Sequence, residues 1–499
     1  MNNKYNKPYK IALFAIIVVL ANISCTSNFE KLNTPPKSAL YVDPALLLTE
    51  VQRWVLASEA GETPNNIAGS WIHHWAGGQI LGQSRYIPQP FNIMGGFYAK
   101  LGSLALIKNE LLNELENSSK GKTKLAIVKI FEIYTWQILT DLYGPIPYSE
   151  SSQPLNNIII QPKYDSQEAI YISLIKELDK AIAKLNDSDE SFGSADLLYG
   201  GNISLWKKFG YSLKLKLGMR IKYANFDLSK QTVESALSNS LIENNTESAS
   251  IPTENTPFNN AHPNLKQFLQ GSPDLMYLGE KLIEVLLSIN DPRLPLIASP
   301  NKAGIAPAFR GIKVAETDAY YAALIRNQFS LASSKTYFNK NISIPLYAIS
   351  YAEVCFFKAE AALEKWGGLS DIDAEQFYKE GILAAMSMEP YNILETDISK
   401  NYKKLQFKLI GTREEKLEKI MTQKWILLFS KNYEAWFEWR RTGYPSLNPG
   451  PYSGGVQTIP RRFIYPIDEP ITNLTNYKQA VSTLSNGDTY LSKVWWDKK

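Results

Sequence analysis

"AIYISLIKELDKAIAKL" (residues 169–185) repeats its apolar side chains at one interval. Ile170, Leu174, Leu178, Ala181, Ile182 and Leu185 fall at i, i+4, i+8, i+11, i+12 and i+15, a single stripe along one α-helix. Leu205, Phe209, Leu213, Leu217 and Ile221 repeat the same four-residue step, and Ala352, Cys355, Phe356, Ala359 and Leu363 form another stripe. "AIVKIFEIYTWQIL" (126–139) is apolar almost all round, which predicts a buried helix. Further helices are expected near 44–59, 97–116, 373–388 and 413–431. Few segments alternate with period two, so strands should be few and short. The fold class is therefore all-α dominated, built from tetratricopeptide-like helical hairpins. No clean 34-residue repeat is visible, so the hairpins are expected to be irregular.

Residues 251–345 interrupt this pattern. Nine of the 27 prolines lie there, and Asn, Gly and Ser accumulate while long helical periodicity fades. A long irregular insertion on a helical scaffold points to function, because loops carry ligand chemistry that a packed helix face cannot. The last fifty residues are similarly rich in loop formers and are expected to wrap back over the helices.

The N-terminus reads as an export signal. "MNNKYNKPYK" is basic, and "IALFAIIVVLANI" is an apolar run too short to span a bilayer comfortably. It ends at "ANISC", where Cys25 is the expected lipidation site and residues 1–24 the cleaved signal peptide. Asn22 departs from the apolar residue typical of such a box. The polar, Pro-bearing stretch that follows, to residue 45, reads as a tether. The only other cysteine, Cys355, lies in a helical stripe, so no disulfide framework is expected. Residues 1–24 hold three lysines and no acid, so the formal charge of +4 shrinks to 50 basic against 49 acidic side chains beyond them. No concentrated basic stripe is present, and nucleic acid is not an expected partner.

"NYEAWFEWRRTGYP" (432–445) holds the densest chemistry. Trp425 and Phe429 are spaced i, i+4, and Trp436 and Phe437 continue the stripe if the helix is bent or restarted near Asn432. Glu438 and Arg441 are spaced for an i, i+3 ion pair, and an arginine fork can satisfy carboxylates or loop carbonyls. The segment reads as an interior wedge whose arginines clamp the tail, against the alternative of a direct ligand contact.

These stretches, with "NFEKLNTPP", "LTDLYGPIPYSE", "GSADLLYGGNISLWKKFGYSLKLKLGMRI", "YAEVCFFKAEAAL" and "IPRRFIYP", resemble in order and spacing the SusD/RagB-like outer-membrane lipoproteins of Bacteroidetes. The resemblance implies a SusD-like fold over residues 46–499 as one domain, with the 251–345 insertion bearing part of the ligand surface. It implies a lipid-anchored protein of the outer membrane facing the exterior, with a SusC-like TonB-dependent transporter as partner and oligosaccharide as cargo. Some relatives handle peptides instead. Catalysis is not expected, and no cofactor is implied. Many relatives carry an acidic cluster after the lipid cysteine; "CTSNFE" has only Glu30.

A sugar ring offers a C–H face to an aromatic ring and hydroxyls to polar side chains, so the ligand contacts are sought among aromatics on loops. "SWIHHWAGGQILGQSRYIPQPFN" (70–92) supplies Trp71, His74, Trp75, Gln83, Arg85, Tyr86 and Asn92 as candidates. "PAFRGIKVAETDAYYAALIRNQF" (307–329) supplies Phe309, Arg310, Asp318, Tyr320, Tyr321 and Asn327. Trp71 and Trp75 are i, i+4 and equally fit a core face. The resemblance supports the two regions and not the individual residues. Other chemistries lack a motif: no carboxylate pair stands out, three histidines are too few for a rich metal site, and there is no phosphate loop or nucleophile elbow. A protein-interaction scaffold without a small ligand is the remaining alternative.

Overall fold

The structure, a computed structural model, describes residues 43–499 except 77–83, 118–120, 152–158, 257–259, 271–276, 403 and 453. The signal segment, Cys25, the tether to residue 42 and Gln83 lie outside the described residues. Helices dominate: α1 (Pro44–Ser58), α2 (Met94–Asn117), α3 (Lys122–Tyr143), α4 (Gln167–Ile182), α5 (Ile203–Arg220), α6 (Phe226–Leu237), α7 (Pro263–Gln270) and α8 (Glu280–Ser288). α9 (Tyr351–Leu363), α10 (Asp371–Ser387), α11 (Arg413–Leu427), α12 (Asn432–Thr442) and α13 (Leu474–Ser482) follow. The expected stripes are the buried faces: Ile170, Leu174, Leu178, Ala181 and Ile182 of α4 all point inward. Side-chain caps start several helices, with Ser166, Asn202 and Asn225 each accepting a backbone N–H of the first turn. α9, α10 and α11 begin with reciprocal capping boxes.

Neighbouring helices pack as hairpins, α1 on α2, α2 on α3, α3 on α4, α5 on α6 and α9 on α10. The strands are short antiparallel pairs, β1 (Ile146–Pro147) with β2 (Tyr164–Asp165), and β3 (Ala249–Ile251) with β4 (Leu346–Ile349). β3 and β4 bracket the 251–345 segment, so it leaves and re-enters the scaffold at one place. Helical periodicity does not vanish inside it, because α7 and α8 form there; the remainder is turns and isolated bridges such as Gly279 with Ile312 and Tyr277 with Leu331.

The helix expected over 413–431 ends at Leu427, and the chain restarts at Asn432 as α12. Every residue of α12 is buried, so it is the interior wedge. Trp436 packs edge-on against Trp71 at 4.9 Å and donates Nε1–H to the Pro460 carbonyl at 2.8 Å. Arg440 lies 3.7 Å over the Trp436 ring and donates to the carbonyls of Arg461 and Asp141 at 2.7 and 2.5 Å. Burial among other cations lowers its guanidinium to about 9. Gly443, at φ +79°, turns the chain out of α12 while its N–H donates to the Trp439 carbonyl.

Arg441 forks onto both Glu360 oxygens at 2.7 and 2.6 Å and meets Glu438 at 2.7 Å, the expected i, i+3 pair. Arg220 reaches Glu434 at 2.5 Å and Glu438 at 2.8 Å, while Lys216, Lys222 and Lys424 pair with Glu434, Glu360 and Glu438. The tail is tied to the same core: Trp496 is buried and donates to Asp141 at 2.6 Å, and Arg462 donates to the Tyr143 carbonyl. Cys355 is buried and burial pushes its thiol up to about 12, leaving it a small hydrophobe.

Two stability predictions follow from this packing. Trp436→Ala loses about 3–5 kcal/mol in urea unfolding; an unchanged midpoint would place the ring outside the core. Burial pushes the Glu360 carboxyl up, but Arg441 and Lys222 outweigh it and hold it at about 2, below its ordinary 4.5. A group depressed on folding stabilises above its unfolded pKa and loses that contribution as pH falls through its folded one. The unfolding midpoint should therefore fall between pH 4.5 and about 2, and Glu360→Gln should make that fall shallower. An acid profile identical in both proteins counts against the pairing.

Candidate functional site

Three distant segments meet at the surface edge of the core. Ala315 N–H donates to the Ser84 carbonyl at 2.8 Å, Tyr452 N–H to the Ala315 carbonyl at 2.9 Å, and Val456 N–H to the Tyr86 carbonyl at 3.2 Å. The strap around 450–456 lies so close that a Cβ at Gly450 would stand 2.6 Å from the Ala315 carbonyl oxygen, and one at Gly455 2.2 Å from that of Arg85. Only glycine permits that approach. The insertion is thereby stitched both to the 84–86 turn and to the tail.

On this base sits a short helical turn, Asp318–Ala322, capped by Thr317. Tyr320 and Tyr321 lie edge to face at 5.3 Å, both half-buried. Their hydroxyls are anchored from behind: Tyr320 accepts from Lys313 N–H at 3.2 Å, and Tyr321 donates to the Lys313 carbonyl at 2.9 Å. Arg85 places its guanidinium over the rings of both Tyr321 and Tyr452, 4.8 and 4.7 Å from their centroids, and pairs with Asp318 at 2.7 Å. Burial raises both the Tyr320 and Tyr321 phenols, which therefore stay neutral.

A cleft of about 380 Å³ flanks this cluster, lined by His73, Glu280, Glu316, Asn448 and neighbours. Burial, reinforced by Glu284, raises the Glu280 carboxyl. Half-exposed rings beside amide, carboxylate and hydroxyl groups suit a ligand with apolar faces and a polar rim. Among the described residues, no group of three or more His, Cys, Asp or Glu side chains could hold a metal ion.

The expected contacts divide. Arg85, Tyr320, Tyr321 and Asp318 come together in one cluster. Tyr86 does not share its surface: it is 1% exposed, and its hydroxyl shares a hydrogen bond with His73 Nε2 at 3.0 Å. Tyr86 sits at φ +58°, in the left-handed region, with its ring buried while the neighbouring Arg85 is partly exposed. Trp71 and Trp75 are likewise corrected to core positions. Trp71 packs against Trp436, Phe463 and Tyr490, and Trp75 stacks on Phe429 at 5.1 Å. The physical reason is that residues 65–71 are helical, with 65–69 seated on α12, and Trp75 is held in an isolated bridge to Leu278, so neither ring is on an open loop.

The adjacent histidines diverge as their spacing requires, His73 to Tyr86 and His74 to Asn432. Burial lowers them to about 3 and 4, so both are neutral. Asn92 is exposed and accepts from Gly95 N–H at the entrance of α2. Phe309 is half-buried against the core, Arg310 lies 5.3 Å over Phe329, and Asn327 is exposed with its carbonyl bonded to Ala303 N–H. Tyr452 was not foreseen. The only sequence signal for it was the loop-rich tail predicted to fold back over the helices. If this division is right, Trp75→Ala lowers stability by about 3–5 kcal/mol while Asn327→Ala stays within about 0.5 kcal/mol. Thermal unfolding of both variants checks it, and equal effects would refute it.

The model of a family described as "SusD-like_2: Starch-binding associating with outer membrane" matches residues 36–466. Among solved structures, a chitin-binding protein is 28% identical, with a TM-score of 0.78 over 92% of this chain and 100% of its own. A SusD homologue of Bacteroides uniformis is 25% identical with a TM-score of 0.74, again over 92% and 100%. One from Bacteroides ovatus is 26% identical with a TM-score of 0.70 over 91% and 99%. No curated protein matches significantly. No helix among the described residues is long and apolar enough to cross a membrane.

Proposed function

The chain belongs to the SusD-like family, whose members are binding proteins and not enzymes, and from that premise we propose that it captures oligosaccharide for uptake. The observation that carries this reading is the Tyr320–Tyr321 pair beside Arg85 and Tyr452. Rings fixed from behind on a loop lose little freedom when a sugar face stacks on them. A preorganised aromatic surface retains more of its contact energy as affinity. The family's starch-binding description and the chitin-binding relative support glycan as the class of cargo.

In this reading Cys25 carries the lipid that holds the protein to the outer membrane, facing outward, and residues 46–499 act as one domain. A SusC-like TonB-dependent transporter receives the cargo. The protein's contribution is to raise ligand concentration at the pore, which needs a shallow site with quick release. Calorimetry against a panel of oligosaccharides tests this. Tyr320→Ala and Tyr321→Ala should each weaken binding by about two- to tenfold, the scale of one stacked ring worth about 0.5–1.5 kcal/mol, while the protein stays folded. Unaltered affinity in both would remove the cluster from the site, and new reducing ends on incubation would overturn a purely binding role.

A further inference from the structure

Within that reading of the site, we propose that Arg85 is a carboxylate receptor held closed by Asp318, so that the preferred cargo is an acidic, uronate-bearing oligosaccharide. The Arg85 side chain is only 11% exposed, and its guanidinium carbon lies over two aromatic rings, 4.8 Å from the Tyr321 centroid and 4.7 Å from that of Tyr452. All of its N–H donors lie along the planar edge of the guanidinium. That edge is incompletely used. Nη2 meets one oxygen of Asp318 at 2.7 Å, while Nε is buried and has no hydrogen-bond partner. Nε and Nη2 lie side by side and match the two oxygens of one carboxylate. A buried donor without a partner is unfavourable, and filling both positions at once removes that penalty.

Asp318 is a weak occupant. Its side chain is 82% exposed on the first residue of a five-residue turn. Exposed ion pairs contribute little and are screened by salt, so a ligand carboxylate can displace it at small cost. A uronate ring has the needed geometry: its C–H face can rest on Tyr320 or Tyr321 while the carboxylate at its rim reaches Arg85. A neutral sugar would have to compete with Asp318 using hydroxyls alone.

Three ligands separate this inference from the broader glycan reading: trigalacturonate, its carboxyl-reduced counterpart and chitotriose. Calorimetry on the full-length protein should find trigalacturonate bound at least about tenfold more tightly than the reduced trisaccharide, the scale of one charge-assisted pair. Asp318→Asn, at an exposed position that should not disturb folding, should strengthen uronate binding by roughly threefold and by more than it changes binding of the reduced trisaccharide. Arg85→Lys keeps the charge but not the fork, and should abolish the preference. Raising NaCl to about 0.5 M should weaken only the uronate. Equal affinity for the acidic and reduced trisaccharides, or weaker uronate binding in Asp318→Asn, overturns the carboxylate receptor while leaving the glycan reading in place. Binding of none of the three removes both.

Discussion

Charge buried in the core organises this molecule. Asp141 on α3, Arg220 and Lys216 on α5, Glu360 on α9, Lys424 on α11 and Glu434, Glu438 and Arg441 on α12 all lie inside the core. Desolvating each ion is unfavourable by several kcal/mol, so the arrangement holds only with every partner in place. The network therefore fixes five helices against one another with little tolerance for sliding. Replacing it with well-packed apolar residues could match its stability, yet removing one member strands a buried charge. Its contribution is best seen as register: α12 has one depth and one rotation at which Glu434, Glu438 and Arg441 all find their partners.

That register is transmitted to the surface. α12 supports Trp71 through Trp436, and Asn432 holds the 65–74 turns through Asn65 and His74. Those turns carry His73, which anchors Tyr86, the residue next to Arg85 in the chain. The candidate ligand surface is thus loop in composition but rigid in attachment, tied through rings and neutral histidines to the most constrained helix. Long loops ordinarily gain adaptability at the expense of precision. Here the stitching of residues 84–86, 312–321 and 450–456 restores the precision, and the exposed Asp318 turn is where adaptability remains.

Helix positions were legible because their signal is local. The stripes at 170–185, 205–221 and 352–363 need no partner to be recognised, while near Asn432 the stripe allowed a bend or a restart, and the structure has the restart. The interior role of "NYEAWFEWRRTGYP" was readable from aromatics and paired arginines sharing one short helix. The site was legible only by region. Tyr320, Tyr321 and Arg85 were among the aromatics and cations expected on loops, but Trp71, Trp75 and Tyr86 satisfied the same composition rule and went inward. Tyr452 lay in a tail with no pattern to single it out.

The sequence alone determined the helical class, the wedge, the buried thiol, the irregular segment and, by resemblance, the family. Each follows from periodicity or from residue types gathered in one stretch. Which rings face water was decided only in three dimensions. An aromatic side chain is equally at home packed in a core or half-open beneath a ligand, and the difference lies in what covers it. For Trp71 the cover is Trp436, Phe463 and Tyr490, and for Trp75 it is Phe429, all hundreds of residues away in the chain. For Arg85 the stacking partners, Tyr321 and Tyr452, arrive from two other segments. Burial is a property of neighbours, and neighbours are assigned by the fold.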